Sequence, residues 1–219
     1  MQRYKHALQN REDAAKKLID IMPMHKLKEE NWYIVAVSKG GLELGKYLKE
    51  NLKNPLEILF LEAIYAPHNA ECEVARVSET EEIVLNEKLI DSFEIQYDYI
   101  YGEAHRKHEE DILSHIYQYR KGRPFPSMED KVVLLVDEGS ETGTKFMTAL
   151  KTVLTQKPKA VYIAVPVLPR DVLEVLETFV DDIFFLYEID DYVETSLYYK
   201  NLTEIEDDAI EKILEENNR

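Results

Sequence analysis

Short apolar runs alternate along this chain with stretches whose apolar residues fall three and four apart. Tyr33 to Val37, Leu56 to Leu61, Val132 to Val136, Ala160 to Val165 and Ile183 to Leu186 are the runs. Almost wholly apolar and this short, they predict strands buried on both faces. Ala14, Ala15, Leu18 and Ile21 form one stripe and predict a helix over Arg11 to Ile21. Helical spacing returns over Leu42 to Leu52, Thr144 to Leu154, Arg170 to Phe179 and Ile205 to Leu214. The longest example is Ser92 to Lys121, where Tyr97, Tyr101, Ala104, His108, Ile112, His115 and Tyr119 recur. At 1.5 Å per residue it spans roughly 40 Å, and Gly122, Pro124 and Pro126 end it. Strands alternating with helices in this way predict an α/β fold, a central parallel sheet with helices on both faces. The stretch from Ile64 to Asp91 is polar and holds one strand candidate, Ile83 to Leu85. It is expected to be a flap or an exposed loop. No repeat or low-complexity linker interrupts the pattern, so one domain is expected over residues 1–219.

Composition narrows the function classes. The 219 residues carry 27 Lys and Arg against 43 Asp and Glu, a formal net charge of −16. A wrapped nucleic acid or an anionic membrane surface calls for the opposite sign, so neither is an expected partner. A small anion remains accessible, because backbone amides in one loop bind phosphate whatever the overall charge. The single cysteine, Cys72, forms no internal disulfide and no cysteine-rich zinc site; an inert thiol is expected. Met1 to Asn10 has no apolar centre, and no window approaches the roughly 18 apolar residues of a membrane span. A soluble cytoplasmic protein is the expectation.

In parallel sheets, ligands sit at the loops leaving the C-terminal strand ends, which points to the loops after Val37 and after Val136. The second loop reads Asp137-Glu138-Gly139-Ser140-Glu141-Thr142-Gly143-Thr144 and leads into a helix. Amides from Ser140 to Thr144 can form a phosphate nest at that helix N-terminus, with the hydroxyls of Thr142 and Thr144 as further donors. Asp137 and Glu138 cannot bind phosphate themselves; they can accept sugar hydroxyls or hold Mg²⁺ through waters or shared oxygens. The plainer alternative is a capped helix with solvated acids.

This segment resembles the phosphoribosyl-pyrophosphate (PRPP) motif of type I phosphoribosyltransferases: an apolar strand, two acids, a short stretch, then Thr-Gly. The likeness runs over nearly the whole chain and is strongest to bacterial phosphoribosyltransferases of unassigned acceptor. Arg11 to Leu18 resembles their opening helix. Ser38-Lys39-Gly40-Gly41 stands where they have Pro-Arg-Gly-Gly. Ala66 to Glu71 resembles their Ala-Pro-x-Asn-Pro-Glu, and Tyr192 to Leu202 their C-terminal aromatic segment. The resemblance implies the type I phosphoribosyltransferase fold, with a flap and long-helix insertion at about 64–125 and a small hood at about 188–219. It implies an enzyme that binds PRPP with Mg²⁺ and passes phosphoribose to a nitrogen acceptor, a nucleobase, releasing pyrophosphate. Asp137 and Glu138 would meet the ribose hydroxyls and bear on Mg²⁺ indirectly. Gly139 to Thr144 would form the phosphate loop, and Ser38, Lys39, Gly40 and Gly41 would bind pyrophosphate. Glu141 would face the acceptor base as a proton donor or acceptor, or stand as a solvated loop carboxylate. Tyr192 would cover the base or simply pack.

Two departures bear on activity. Relatives commonly carry Arg-Lys where this chain has Glu62-Ala63, and Ser or Thr where it has Lys145. Losing a charge-assisted contact costs about 1.5–3 kcal/mol, so turnover is expected to be weak or lost unless Lys39 compensates, and a lysine at Ala63 is expected to tighten PRPP binding. The competing function is therefore a non-catalytic PRPP- or nucleotide-binding regulatory module. A third reading is a structural homodimer built on the long helix. His105, His108 and His115 lack the spacing of a metal motif and are expected to pack. Tyr97, Tyr101 and Tyr119 are expected to pack too, and His68 and Asn69 to make a turn or reach the ligand.

Overall fold

The computed structural model describes residues 4–29, 32–50 and 54–217; Asn51 and Leu52, the end of the predicted second helix, lie outside the described residues. The chain runs through α1 (Arg11–Ile21), α2 (Met24–Glu29), β1 (Trp32–Ala36), α3 (Lys39–Lys49) and β2 (Leu56–Ile58). Next come β3 (Leu61–Ala66), β4 (Asn69–Ser78), β5 (Ile83–Leu85), α4 (Glu87–Ser92), α5 (Tyr97–Lys107) and α6 (Leu113–Arg120). The last part holds β6 (Val132–Val136), α7 (Thr144–Leu154), β7 (Ala160–Pro169), α8 (Arg170–Leu176), β8 (Asp182–Ile189), a 3₁₀ turn (Thr195–Tyr198) and α9 (Asp207–Asn217).

Five strands make one parallel sheet in the order β2-β1-β6-β7-β8. The apolar runs are continuous because both faces are covered. Ile34, Ala36, Leu134 and Val136 enter one core with Ala14, Ala15 and Leu18 of α1 and Leu44 and Leu48 of α3. Their neighbours Val35, Val133 and Leu135 enter a second core with Phe146, Ala149 and Leu150 of α7 and Leu173 of α8. The chain steps from β1 outward to β2 on one side, whereas β6 lies on the other side of β1. The sheet therefore reverses its direction of growth between β1 and β6, and the crevice above their C-terminal ends is where such a sheet binds ligands.

Three features depart from the sequence pattern. The second strand run is split: β2 ends at Ile58, and Leu61 opens a separate antiparallel sheet, β3-β4-β5. Within that sheet β4 has no strong sequence signal, because Glu71, Glu73 and Arg76 interrupt its apolar residues; Arg76 and Glu73 pair on its partly buried side at 2.8 Å. His68, in the left-handed region at φ 61°, makes the β3–β4 turn. The polar stretch is thus an ordered sheet packed against α5 and α7, since one side of an antiparallel sheet tolerates polar residues. The long helix also begins later than predicted. Glu94 adopts φ 51° between α4 and α5, and a wider π turn over His108–Ile112 joins α5 to α6.

One buried ion pair ties the small sheet to α6. Arg120 and Glu79 have side chains 1% and 2% exposed and bond each other. Glu79 also accepts the Phe60 amide at 3.0 Å, and the Arg120 guanidinium lies 4.9 Å from the Phe60 ring centre. Glu79→Gln strips a buried guanidinium of its counter-charge and is expected to cost about 3–5 kcal/mol, whereas replacing both partners by apolar residues should cost far less. Urea midpoints of the two variants check this; equal losses would show that the pair is not the anchor.

Candidate active site

The two predicted loops meet. Ser38 caps α3 by accepting the Gly41 amide at 2.9 Å, and its hydroxyl donates to Asp137 at the end of β6. Gly40 and Gly41, in the first turn of α3, lie flat against the β6 loop. A Cβ on Gly41 would fall 2.4 Å from the Val136 carbonyl, and one on Gly40 would fall 2.1 Å from the Glu138 carboxylate. No other residue allows the helix to start so close to the acids. No cis peptide occurs among the described residues.

The acids are held differently from one another. Asp137 is fully buried. One of its oxygens accepts from Ser38 and from the Glu138 amide at 2.9 Å, and the other pairs with the Lys145 ammonium. It is not among the residues that line the cavity, whereas Glu138 is. The Glu138 carboxylate bonds Arg11, and its backbone carbonyl accepts the Tyr199 hydroxyl at 2.6 Å. Burial and the Asp137 charge push the Glu138 carboxyl above the usual range, and Arg11 pulls it back. Burial, with the nearby Glu138 and Asp137 charges, keeps the Tyr199 hydroxyl protonated far above its ordinary range.

Beyond the acids the chain turns into α7. Gly139 is covered by the C-terminal segment, for a Cβ there would meet Thr195 at 2.5 Å and the Tyr192 hydroxyl at 3.0 Å. The Ser140 amide already bonds the Val167 carbonyl at 3.3 Å. The amides of Gly143 and Thr144 reach the hydroxyls of Ser140 and Thr142 at 3.2 and 3.4 Å, and Thr142 and Thr144 share a hydrogen bond at 2.8 Å. The expected nest is therefore only partly open. Among the described residues the amides of Glu141 and Thr142 have no such partner, and Gly143, at φ 74°, leaves α7 without a side-chain cap.

The cavity between the loops measures about 470 Å³ and is lined by Arg11, Ser38, Lys39, Gly40, Glu138, Lys145, Glu204 and Ile205. Its three cations come from three helices, and each has a carboxylate partner. Arg11 holds Glu138 and, at 3.0 Å, Glu43. Lys145 holds Asp137, and Lys39 holds Asp207 of α9 at 2.8 Å. Lys39, with the Tyr119 hydroxyl, holds the exposed Asp207 carboxyl down to about 2.

Several predicted residues stand elsewhere. Glu141 is exposed and accepts the Thr195 amide at 3.1 Å, away from the cavity lining. Tyr192 bonds Thr195 at 2.9 Å and packs its ring 4.9 Å from that of Tyr198. Glu62 and Ala63 belong to β3. Glu62 lies 3.6 Å from His115, in a recess of about 80 Å³ shared with Ser38 and Lys39; burial pushes its carboxyl up. Ala63 is 7% exposed and paired across from Arg76. A lysine there would enter the packed sheet opposite Arg76. Arg11 was the residue least visible as a site. Its signal was a charge on the buried stripe of α1: Arg11 is 7% exposed, whereas Ile21, expected on that stripe, is 50% exposed.

The architecture and site define a parallel α/β domain with an anion-compatible cleft at its switch point. The phosphoribosyl transferase domain model matches residues 5–213, and the chain belongs to that family. Two Mycobacterium tuberculosis proteins, from strains CDC 1551 and H37Rv, carry the provisional name phosphoribosyl transferase. Each is 20% identical over 186 residues. The match covers 85% of this chain and 42% of each relative, so the chain spans under half of their length. The crystal structure of TT1426 from Thermus thermophilus overlays with a TM-score of 0.76 at 27% identity, covering 95% of this chain and 98% of that one. No helix among the described residues is long and apolar enough to cross a membrane.

Gly40 tests the close approach of the loops. Gly40→Ala is expected to displace the Glu138 carboxylate and lower stability by about 1–3 kcal/mol, while Gly102→Ala, with nothing within 4 Å of its Cβ, should lose nothing. Thermal unfolding of the two variants decides; equal midpoints would mean that α3 does not abut Glu138.

Proposed function

We propose that this domain binds PRPP in the cleft between the β1 and β6 loops and transfers its phosphoribosyl group to a nitrogen acceptor, a nucleobase, with release of pyrophosphate. The observation that carries the reading is the cavity itself. It brings Arg11, Lys39, Lys145 and Glu138 around one cavity, with Lys145 in the uncapped first turn of α7. A phosphorylated sugar matches that arrangement, since its phosphates meet cations and amides and its hydroxyls meet a carboxylate.

In this reading the bond from ribose C1 to the pyrophosphate oxygen breaks as the bond from C1 to the acceptor nitrogen forms. The protein's work is orientation and charge stabilisation. Glu138 accepts a ribose hydroxyl. The amides of Glu141 and Thr142 and the first turn of α7 take the 5′-phosphate. Ser38 to Gly41, with Lys39, face the leaving pyrophosphate. Asp137 acts from behind by fixing Ser38 and Lys145, and Glu141 and Tyr192 stand on the acceptor side with Thr195.

Mg²⁺ accompanies PRPP in this family as a rule. The residues here do not make a resident divalent site, for Asp137 already carries Lys145 and Glu138 already carries Arg11. No group of three or more His, Cys, Asp or Glu able to hold a metal occurs among the described residues. The ion would arrive on the substrate's own phosphates, with the two acids bearing on it indirectly.

One observation favours the second reading, a regulatory module that binds PRPP or a nucleotide without turnover. Every cation of the cavity is already matched by a carboxylate of the chain, and Glu62 lines the recess that Lys39 also borders. A polyanion must displace these partners. Calorimetry with PRPP and Mg²⁺, followed by a pyrophosphate-release assay across purine and pyrimidine bases, separates the readings. Binding with release supports the transferase, and binding without release with any base supports the module. Lys145→Met is expected to weaken PRPP about tenfold at low salt, and an unchanged affinity would remove Lys145 from the phosphate wall.

A further inference from the structure

Arg11 joins four parts of the fold. It leaves the first turn of α1, and its side chain is 8% exposed. Its Nε donates to Glu138 Oε2 in the β6 loop. Its Nη1 donates to Glu43 Oε2 of α3 at 3.0 Å and to the Thr203 carbonyl, in the segment leading to α9, at 2.9 Å. A guanidinium serves such divergent acceptors because its donors are fixed in one plane; an ammonium has no such fork.

Glu138 is the carboxylate this arrangement steers. Its backbone is tied by Tyr199, and its carboxylate rests against the bare backbone of Gly40. Oε2 is occupied by Arg11, while Oε1 has no hydrogen-bond partner among the described residues. Glu138 lines the cavity, and Asp137 does not. One oxygen is therefore locked and the other is presented to the cleft.

We propose that Arg11, braced by Glu43, is a positioning residue that aims Glu138 at the hydroxyls of a bound ribose 5-phosphate, so that recognition of ribose against deoxyribose is set from the first helix. This rests on the phosphoribosyl reading above and adds to it the group that makes the acid selective. An acceptor held in place discriminates sharply for a hydroxyl, because its geometry is set before the ligand arrives.

The test compares ribose 5-phosphate with 2-deoxyribose 5-phosphate by calorimetry. Wild type should prefer ribose 5-phosphate by about tenfold, the value of one charge-assisted hydrogen bond. Arg11→Met should bring that preference to within about twofold, whatever it does to the affinity common to both sugars, and Arg11→Lys should restore part of it. Glu43→Ala keeps the guanidinium on Glu138 and removes only its brace. It should reduce the preference in part, and it carries the test if Arg11→Met does not fold. Equal weakening of both sugars in these variants would assign Arg11 a purely structural role and overturn the proposal, as would an undiminished preference. A wild type that binds both sugars equally overturns the positioning role alone. A wild type that binds neither sugar phosphate, nor PRPP, overturns the phosphoribosyl reading and this inference with it.

Discussion

The hydrogen bond from Ser38 to Asp137 joins residues 99 positions apart, and the arrangement of the cleft depends on it. Parallel pairing of Trp32–Ala36 with Val132–Val136 brings the two strand ends level. Gly40 and Gly41 then let the first turn of α3 lie against the acids. Had either strand shifted register by one residue, its two faces would exchange cores, and Ser38 would point away from Asp137. The covered sheet thus holds the site in place, although the site itself consists of loops.

Charge is the second organising constraint. A chain with a net charge of −16 concentrates Arg11, Lys39 and Lys145 around one cavity and neutralises each with a carboxylate from another element. Burying an unpaired carboxylate such as Asp137 would be far more costly than the pairing. Under the proposed function the same pairing would oblige a phosphorylated ligand to exchange partners on entering, so affinity would be a difference between two sets of ion pairs.

The outer elements frame the cleft. The antiparallel sheet and the α5–α6 helix are joined through Glu79 and Arg120. The C-terminal segment is pinned at both ends of its path: Lys200 and Asn201 bond the backbone of Leu8 and Gln9 at 2.8 and 3.0 Å, and Asp207 bonds Lys39 and Tyr119. Between these points Glu204 and Ile205 close one side of the cavity. The beginning and end of the described chain therefore meet at the same site.

The amino-acid sequence by itself determined the elements whose signals are local. The bounds of Arg11–Ile21, Val132–Val136 and Thr144–Leu154 are as the apolar spacing predicts, because one buried stripe or one covered run suffices to specify each. The parallel α/β class followed from their alternation, and the two loops that meet at the cleft from the strand ends. Tertiary structure alone decided what depends on distant partners. Strand β4 exists because β3 and β5 flank it, and its mixed polar pattern concealed it. Arg11 replaces Ile21 on the buried side of α1 because Glu138, 127 residues away, and Glu43 compensate its charge. Lys39 is occupied by Asp207, 168 residues away. A charged side chain's partner is set by where the fold returns the chain, and the residues surrounding it in sequence carry no record of that.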